Sequence, residues 1–300
     1  MKRFFFLLAL ACVSHPTLAQ DVANPIYDKL TKEGIVTADG SIAKLPAPLM
    51  ADKLSAADQH KVIDSISEGN KNFESLTKKQ AVAPYVLKIS DVKPSKGDSK
   101  TLRLVEFYFV IHADLKKLEE ESFLKGQTEE REKKDEEETK ASGEEIKPEE
   151  LKSLGITVAP GDERPERFFK GAFPLFGRVR VEGVGHSYYT KSDESSFLAS
   201  ILDPRFEKDA KLAAKWTPLI RNEKTGKLED GKPQPYSGAG AYTKATILAE
   251  PKGAVFVEQH ILFDEPKGWF NGANLLRSKL PIVIQDEIRL LRRRAMGEKK

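Results

Sequence analysis

A chain of 300 residues is long enough for one large domain or two small ones. A net charge of +3 with 32% charged residues leaves no uncompensated surplus of Lys and Arg, which argues against a nucleic-acid binder. A lone cysteine excludes a disulfide framework and a thiolate metal site.

The chain opens with a secretory leader pattern. Lys2 and Arg3 are positive, Phe4 to Val13 is apolar, Ser14-His15-Pro16 breaks the run, and Thr17-Leu18-Ala19 supplies small residues before Gln20. The apolar run holds about ten residues, and a membrane-spanning helix needs roughly 20. Residues 1–19 are therefore expected to be a signal peptide cleaved after Ala19, which makes the protein secreted or periplasmic. The alternative is a lipoprotein anchored at Cys12, since Leu10-Ala11-Cys12 loosely matches a lipobox. Cleavage at Ala19 removes the only cysteine. No later apolar stretch approaches spanning length, so the mature body is expected to be soluble.

Residues 20–81 read as a helical segment. Asn24-Pro25 starts a short helix through Leu30, and Ser55 with Asp58 resembles a capping box opening a helix with Val62, Ile63 and Ile66 on one face. Residues 82–300 read as an antiparallel sheet with a helix at its end. Tyr85–Val92 and Leu102–His112 flank a turn at 94–98 and form a first hairpin. The second of these strands is apolar on both faces, which predicts a central strand covered on both sides. Residues 119–150 are charge-dense and nearly free of apolar side chains, so they are expected to be a disordered, solvated insertion.

A second β region runs from Phe173 to Leu202, with Val179, Val181 and Gly183 on one face. Residues 217–240 are polar and rich in Pro and Gly, and read as a long loop. Tyr242–Ala249 and Ala254–Phe263, joined by Glu250-Pro251-Lys252-Gly253, make a third hairpin. The last helix is expected to begin near Pro281, with Ile284, Ile288, Leu291 and Ala295 on its apolar face. Arg289, Arg292, Arg293 and Arg294 crowd its final turns, where cations favour the negative helix end and can touch anionic headgroups. The total is about six strands in three hairpins with segregated helices, an α+β fold.

His112, His186 and His260 stand on or at the ends of three predicted strands. Glu106, Glu182 and Glu258 precede them at even spacing, hence on the same faces. If the strands converge, the three imidazoles can hold a divalent metal such as zinc, and the protein is a metal-dependent hydrolase. No H-x-H or HExxH spacing accompanies them. Gly238-Ala239-Gly240 lacks the rest of a phosphate loop, and there is no G-x-S-x-G elbow. With no catalytic signature, the leading reading is a non-catalytic envelope protein without a cofactor, binding an apolar molecule or a partner protein.

The element order, a sheet closed by a long C-terminal helix, resembles the helix-grip (START-like) fold over Val82 to Met296. That resemblance implies an apolar cavity between sheet and helix. Phe107, Phe109, Trp269 and Phe270 are then the candidates to line it, the last two at its mouth.

Overall fold

The computed structural model describes residues 23–69, 71–119, 142–159, 165–270 and 274–298. The expected leader, both candidate processing sites and the charged residues 120–141 lie outside them.

The described chain begins as its sequence dictates. Asn24 accepts a hydrogen bond from the Tyr27 N–H and Pro25 takes the first helical position, so a helix spans Pro25–Asp28 and continues as a wider π turn over Lys29–Glu33. A two-stranded ribbon follows, β1 (Ile35–Val36) against β2 (Ile42–Ala43). Ser55 caps the helix Ala56–Ile66 by accepting from the Asp58 N–H, and a short helix, Phe73–Leu76, comes next.

Eleven strands then build one antiparallel sheet. They are β3 (Val86–Asp91), β4 (Leu102–His112), β5 (Ser142–Glu145), β6 (Glu166–Leu175), β7 (Val179–Lys191), β8 (Ser195–Leu202), β9 (Lys215–Arg221), β10 (Leu228–Asp230), β11 (Gln234–Pro235), β12 (Ala239–Ile247) and β13 (Ala254–Asp264). The main order is β5-β6-β7-β8-β12-β13-β4-β3. The first half of β7 also pairs with β9, on which β10 and β11 build a small annex. Helix Leu115–Glu119 follows β4, helix Pro148–Ser153 follows β5, and helix Leu275–Ala295 follows β13.

Strand alternation gives the sheet two covered faces. On the inner face Val105, Phe107, Phe109 and Ile111 of β4 join Val255, Val257, Ile261 and Phe263 of β13. They pack under Leu276, Leu280, Val283, Ile284 and Ile288 of the last helix. Each such side chain, fully buried, contributes about 1.5–3 kcal/mol before ordering costs. On the outer face Tyr108, Val110 and Phe256 pack against Met50, Ile63, Ile66 and Leu76. Ile26, Leu30 and Ile35 cover Tyr242, Ala199 and Leu262 on that same face. β4 is thus covered on both sides, although it stands next to the edge strand β3 rather than at the centre, and the fold is α+β, an antiparallel sheet with the last helix across its inner face.

Four details differ from the sequence reading. The sheet has eleven strands rather than about six. Residues 217–240 are not one loop, because β9, β10 and β11 lie within or across them; Pro218, which cannot donate, is held where its carbonyl accepts from Gly231 instead. The charged segment ends earlier than 150. From Ser142 the chain pairs with β6, and Ile146 and Leu151 are buried against Phe168, Val184 and Phe206.

The last helix starts at Leu275, not near Pro281. Asn274 caps it by accepting from the Arg277 N–H, and Leu276 and Leu280 anchor its first turns in the core. Pro281 then sits inside the helix and removes the N–H that would reach the Arg277 carbonyl. Its own carbonyl accepts from the Tyr85 hydroxyl at 2.8 Å, which ties the helix to the chain just before β3.

Candidate functional site, an apolar pocket on the inner face

The last helix covers the β4–β13 side of the inner face. Toward β6, β7, β8 and β12 that face carries much smaller side chains: Gly183, Gly185 and Ser187 on β7, Ser200 on β8, and Ala239 and Ala241 on β12. A pocket of about 150 Å³ opens there, closed around its sides by Phe169, Phe173, Val181, Leu198, Leu202 and Tyr236. An engineered cavity of roughly that size, lined by Leu, Ile and Phe, stays dry and admits benzene.

Two glycines show how the space arises. At Gly183 a Cβ would stand 2.8 Å from Leu202 Cδ1 and 3.0 Å from Ala214 Cβ, so close packing of the annex demands glycine. At Gly185 a Cβ would meet only the Phe169 carbonyl, at 3.9 Å. That position is open, and its missing side chain is part of the pocket's volume.

The pocket's polar groups are few. Glu182 borders it, but its carboxylate lies on the opposite face, bound by Arg180 at 2.7 Å and Lys215 at 3.0 Å. Burial pushes that carboxyl up, and the two cations outweigh burial and hold it below the usual range. Tyr236 spends its hydroxyl on the Asp264 carbonyl at 3.0 Å; burial drives its pKa well up, so it stays a neutral phenol. Ser187 donates to the Arg167 carbonyl at 3.3 Å.

Gln259 is different. It is 3% exposed, stands between Phe107 and Thr243 on neighbouring strands, borders the pocket, and its Oε1 has no hydrogen-bond partner.

The residues singled out by sequence go elsewhere. Phe107, Phe109, Trp269 and Phe270 are all buried on the inner face, yet none lines the pocket. Phe107 and Phe109 are core beneath the helix, because the long helix reaches the β4 side. Trp269 packs on Tyr236, with ring centroids 5.4 Å apart, and so backs the pocket wall from behind. Phe270 packs on Phe176, which the β6–β7 turn holds at φ 53°.

The three histidines share the outer face and are not brought to one point. His112 stands opposite Ala254, six residues along β13 from His260, a separation of about 20 Å at the usual rise per residue. His186 lies on β7, three strands from β13, or roughly 14 Å. His112 bonds the Thr77 carbonyl at 2.7 Å. His186 stacks on Phe168 and contacts Glu166 at 2.6 Å and Asp203 at 3.6 Å. His260 is fully buried between Glu106 at 3.3 Å and Glu258 at 3.4 Å. Among the described residues no group of three His, Cys, Asp or Glu side chains is arranged to hold a metal ion.

These carboxylate clusters are fasteners. Glu258 Oε2 and Oε1 accept the Leu49 and Met50 N–H groups, and Lys244 reaches the Met50 carbonyl and Asp52 at 2.7 Å each. Together they clamp residues 49–52 over the sheet.

The tail arginines need a correction too. Arg292 is 3% exposed and turned into the protein, not toward a surface or the helix end. It donates to the carbonyls of Val110, Ala83 and Pro84 and lies over the Phe109 ring. Burial pushes its pKa down to about 10, which leaves it charged at neutral pH.

No family model matches the chain, and no curated protein matches it. Among solved structures it is similar to the human StarD13 (DLC2) lipid transfer and protein localization domain, at 14% identity and a TM-score of 0.34, over 69% of this chain and 82% of that one. It is also similar to TTHA0849 from Thermus thermophilus, at 13% identity and a TM-score of 0.30, over 66% of this chain and 99% of that one. For CalU16 from Micromonospora echinospora the values are 8% and 0.21, over 71% and 93%. Such scores describe a loose correspondence of shape.

Proposed function

We propose that this protein is an exported, non-catalytic binding protein for a small apolar molecule, which it holds between β6, β7, β8, β12 and β13. One observation carries the reading: the inner face is packed solid with Phe, Val, Ile and Leu beneath the last helix, and changes to Gly, Ser and Ala where the pocket opens. A sheet that needed only stability would gain from filling that volume, because each cavity forfeits packing energy. Export rests on the leader pattern of residues 1–19, with cleavage after Ala19 releasing a free protein and processing at Cys12 tethering it.

Organic extraction of the protein from its native compartment, followed by mass spectrometry, should recover one class of apolar compound. The neutral fluorophore N-phenyl-1-naphthylamine should bind the emptied protein with enhanced emission, and Gly185→Leu, which fills the open position, should abolish that signal. Equal emission from native protein and a folded Gly185→Leu variant would sink the reading. Intact-mass measurement of the exported protein separates the two processing sites.

A further inference from the structure

A second cavity, of about 310 Å³, lies between the last helix and the chain from Val82 to Leu87, where β3 begins. It shares no lining residue with the apolar pocket, and its character is the opposite. Lys71, Arg289 and Arg292 border it, and among the described residues no Asp or Glu does.

Its hydrogen-bonding groups are unevenly spent. The carbonyls of Ala83 and Pro84 already accept from Arg292, and that of Pro281 accepts from the Tyr85 hydroxyl. The donors are not used in the same way. The Lys71 ammonium and the Arg289 guanidinium are half-buried, and neither makes a hydrogen bond or ion pair with another described residue. Arg292 adds charge from the buried wall, where carbonyl dipoles meet it and no carboxylate pairs with it.

Helix polarity does not account for Arg289. The helix runs to Ala295, so Arg289 stands before its last turn, and the pull of a helix end fades within that turn. The charge of Arg289 reaches the Tyr85 hydroxyl. Asp286 also acts on Tyr85 but does not border the cavity, and Glu68 is paired with Lys88 at 3.8 Å. Much of the remaining wall is apolar, with Val82, Leu87 and Ile288.

We infer that this cavity binds an organic oxyanion, a carboxylate or phosphate group on a short apolar body. Arg289 and Lys71 donate to the head, and Val82, Leu87 and Ile288 face the body. Such a ligand supplies acceptors where the protein's own are taken, and a negative charge where the wall holds only positive ones. The site stands independently of the apolar pocket.

Calorimetric titration of the native chain with hexyl phosphate, hexanoate and hexylammonium tests it. Both anions should bind at least about tenfold more tightly than the amine, the worth of a charge-assisted hydrogen bond, and more weakly as salt rises. Arg289→Gln should weaken both anions about tenfold and Lys71→Gln about threefold, with circular dichroism unchanged. Arg293→Gln, exposed and outside the cavity, and Gly185→Leu, in the apolar pocket, should leave anion affinity as it is. Anion affinity that ignores Arg289→Gln, falls equally in Arg293→Gln, or is lost only in Gly185→Leu overturns the site. Vesicles of phosphatidylglycerol separate the sources of the head. Sedimentation with them that Arg289→Gln abolishes assigns a lipid headgroup, and indifference to them beside tight hexyl phosphate binding assigns a soluble anion. Either result upholds the site.

Discussion

The two faces of one sheet solve the problem of burial in opposite ways. The inner face uses volume: β4 and β13 press aromatic and branched side chains against the last helix, and small side chains on β7, β8 and β12 leave a pocket beside them. The outer face uses charge: Glu258, His260 and Lys244 are buried and, with half-buried Asp52, make ion pairs with each other and hydrogen bonds to the backbone of residues 49 and 50. The outer face, through these ion pairs and backbone hydrogen bonds, holds the N-terminal cover down. The inner face, where small side chains leave the pocket, is the one proposed to take a ligand.

That contrast can be broken from either side. The largest effect is expected at Glu258→Ala, which strands two backbone N–H groups and a buried histidine; a loss of about 3–5 kcal/mol should appear in urea unfolding. Protection of amides near Met50 from hydrogen exchange should fall with it, while the pocket still binds a neutral probe. Leu280→Ala attacks the inner face by volume alone and should cost about 2–5 kcal/mol. Because the two sites lie on opposite faces, the double variant should lose close to the sum, and strong coupling would show that the faces are not independent. Asn274→Ala removes only the cap of the helix and should cost about 1 kcal/mol, read as a small drop in melting temperature.

The subtlest prediction concerns pH. For His260 burial acts to lower the pKa, but Glu106 and Glu258 outweigh it and leave it raised. Its contribution is therefore full below the unfolded value of about 6.5 and is lost as pH rises through the higher folded value. His186 is the reverse: burial outweighs Glu166 and Asp203, and its pKa is lowered. Its contribution is present above about 6.5 and lost as pH falls through the lower folded value. Urea titrations from acid to mildly alkaline pH should show His260→Gln flattening the alkaline limb and His186→Gln the acid limb. A single shared slope in all three proteins would refute the assignment.

The hairpins with strong local signals were legible in the sequence. Leu102–His112 announced a doubly covered strand because both of its faces are apolar, and Glu250-Pro251-Lys252-Gly253 marked the β12–β13 turn. The β6–β7 hairpin was harder to see, since Phe176-Gly177 supplies two positive φ angles without the usual Asn or Asp at the first. β9 was hidden by Pro218, and β5 by a charge run whose buried Ile146 is a single apolar residue among polar neighbours. The site was less legible still. Its signal is a run of small residues at alternate positions, Gly183, Gly185 and Ser187 on one strand and Ala239 and Ala241 on another. Only the register shows that these runs lie side by side. Nothing in the local sequence of Gln259 distinguishes an unpaired amide from a paired one, and Arg292 looked like any helix-end cation until its carbonyl partners, some 180 residues and more away in sequence, were in place.

The ladder between β4 and β13 has a kinetic meaning. It joins His112 to Ala254 and Leu102 to Asp264, and so closes a loop of roughly 140 residues at its nearer end. Closure entropy grows only logarithmically, so removing the charged residues 120–141 would change stability by just a few tenths of a kcal/mol or less. Rate is another matter. Pairing between such distant segments slows folding, and a slow-folding chain stays extended longer. The export proposed above would take the chain across a membrane before it folds, and such a delay would serve it.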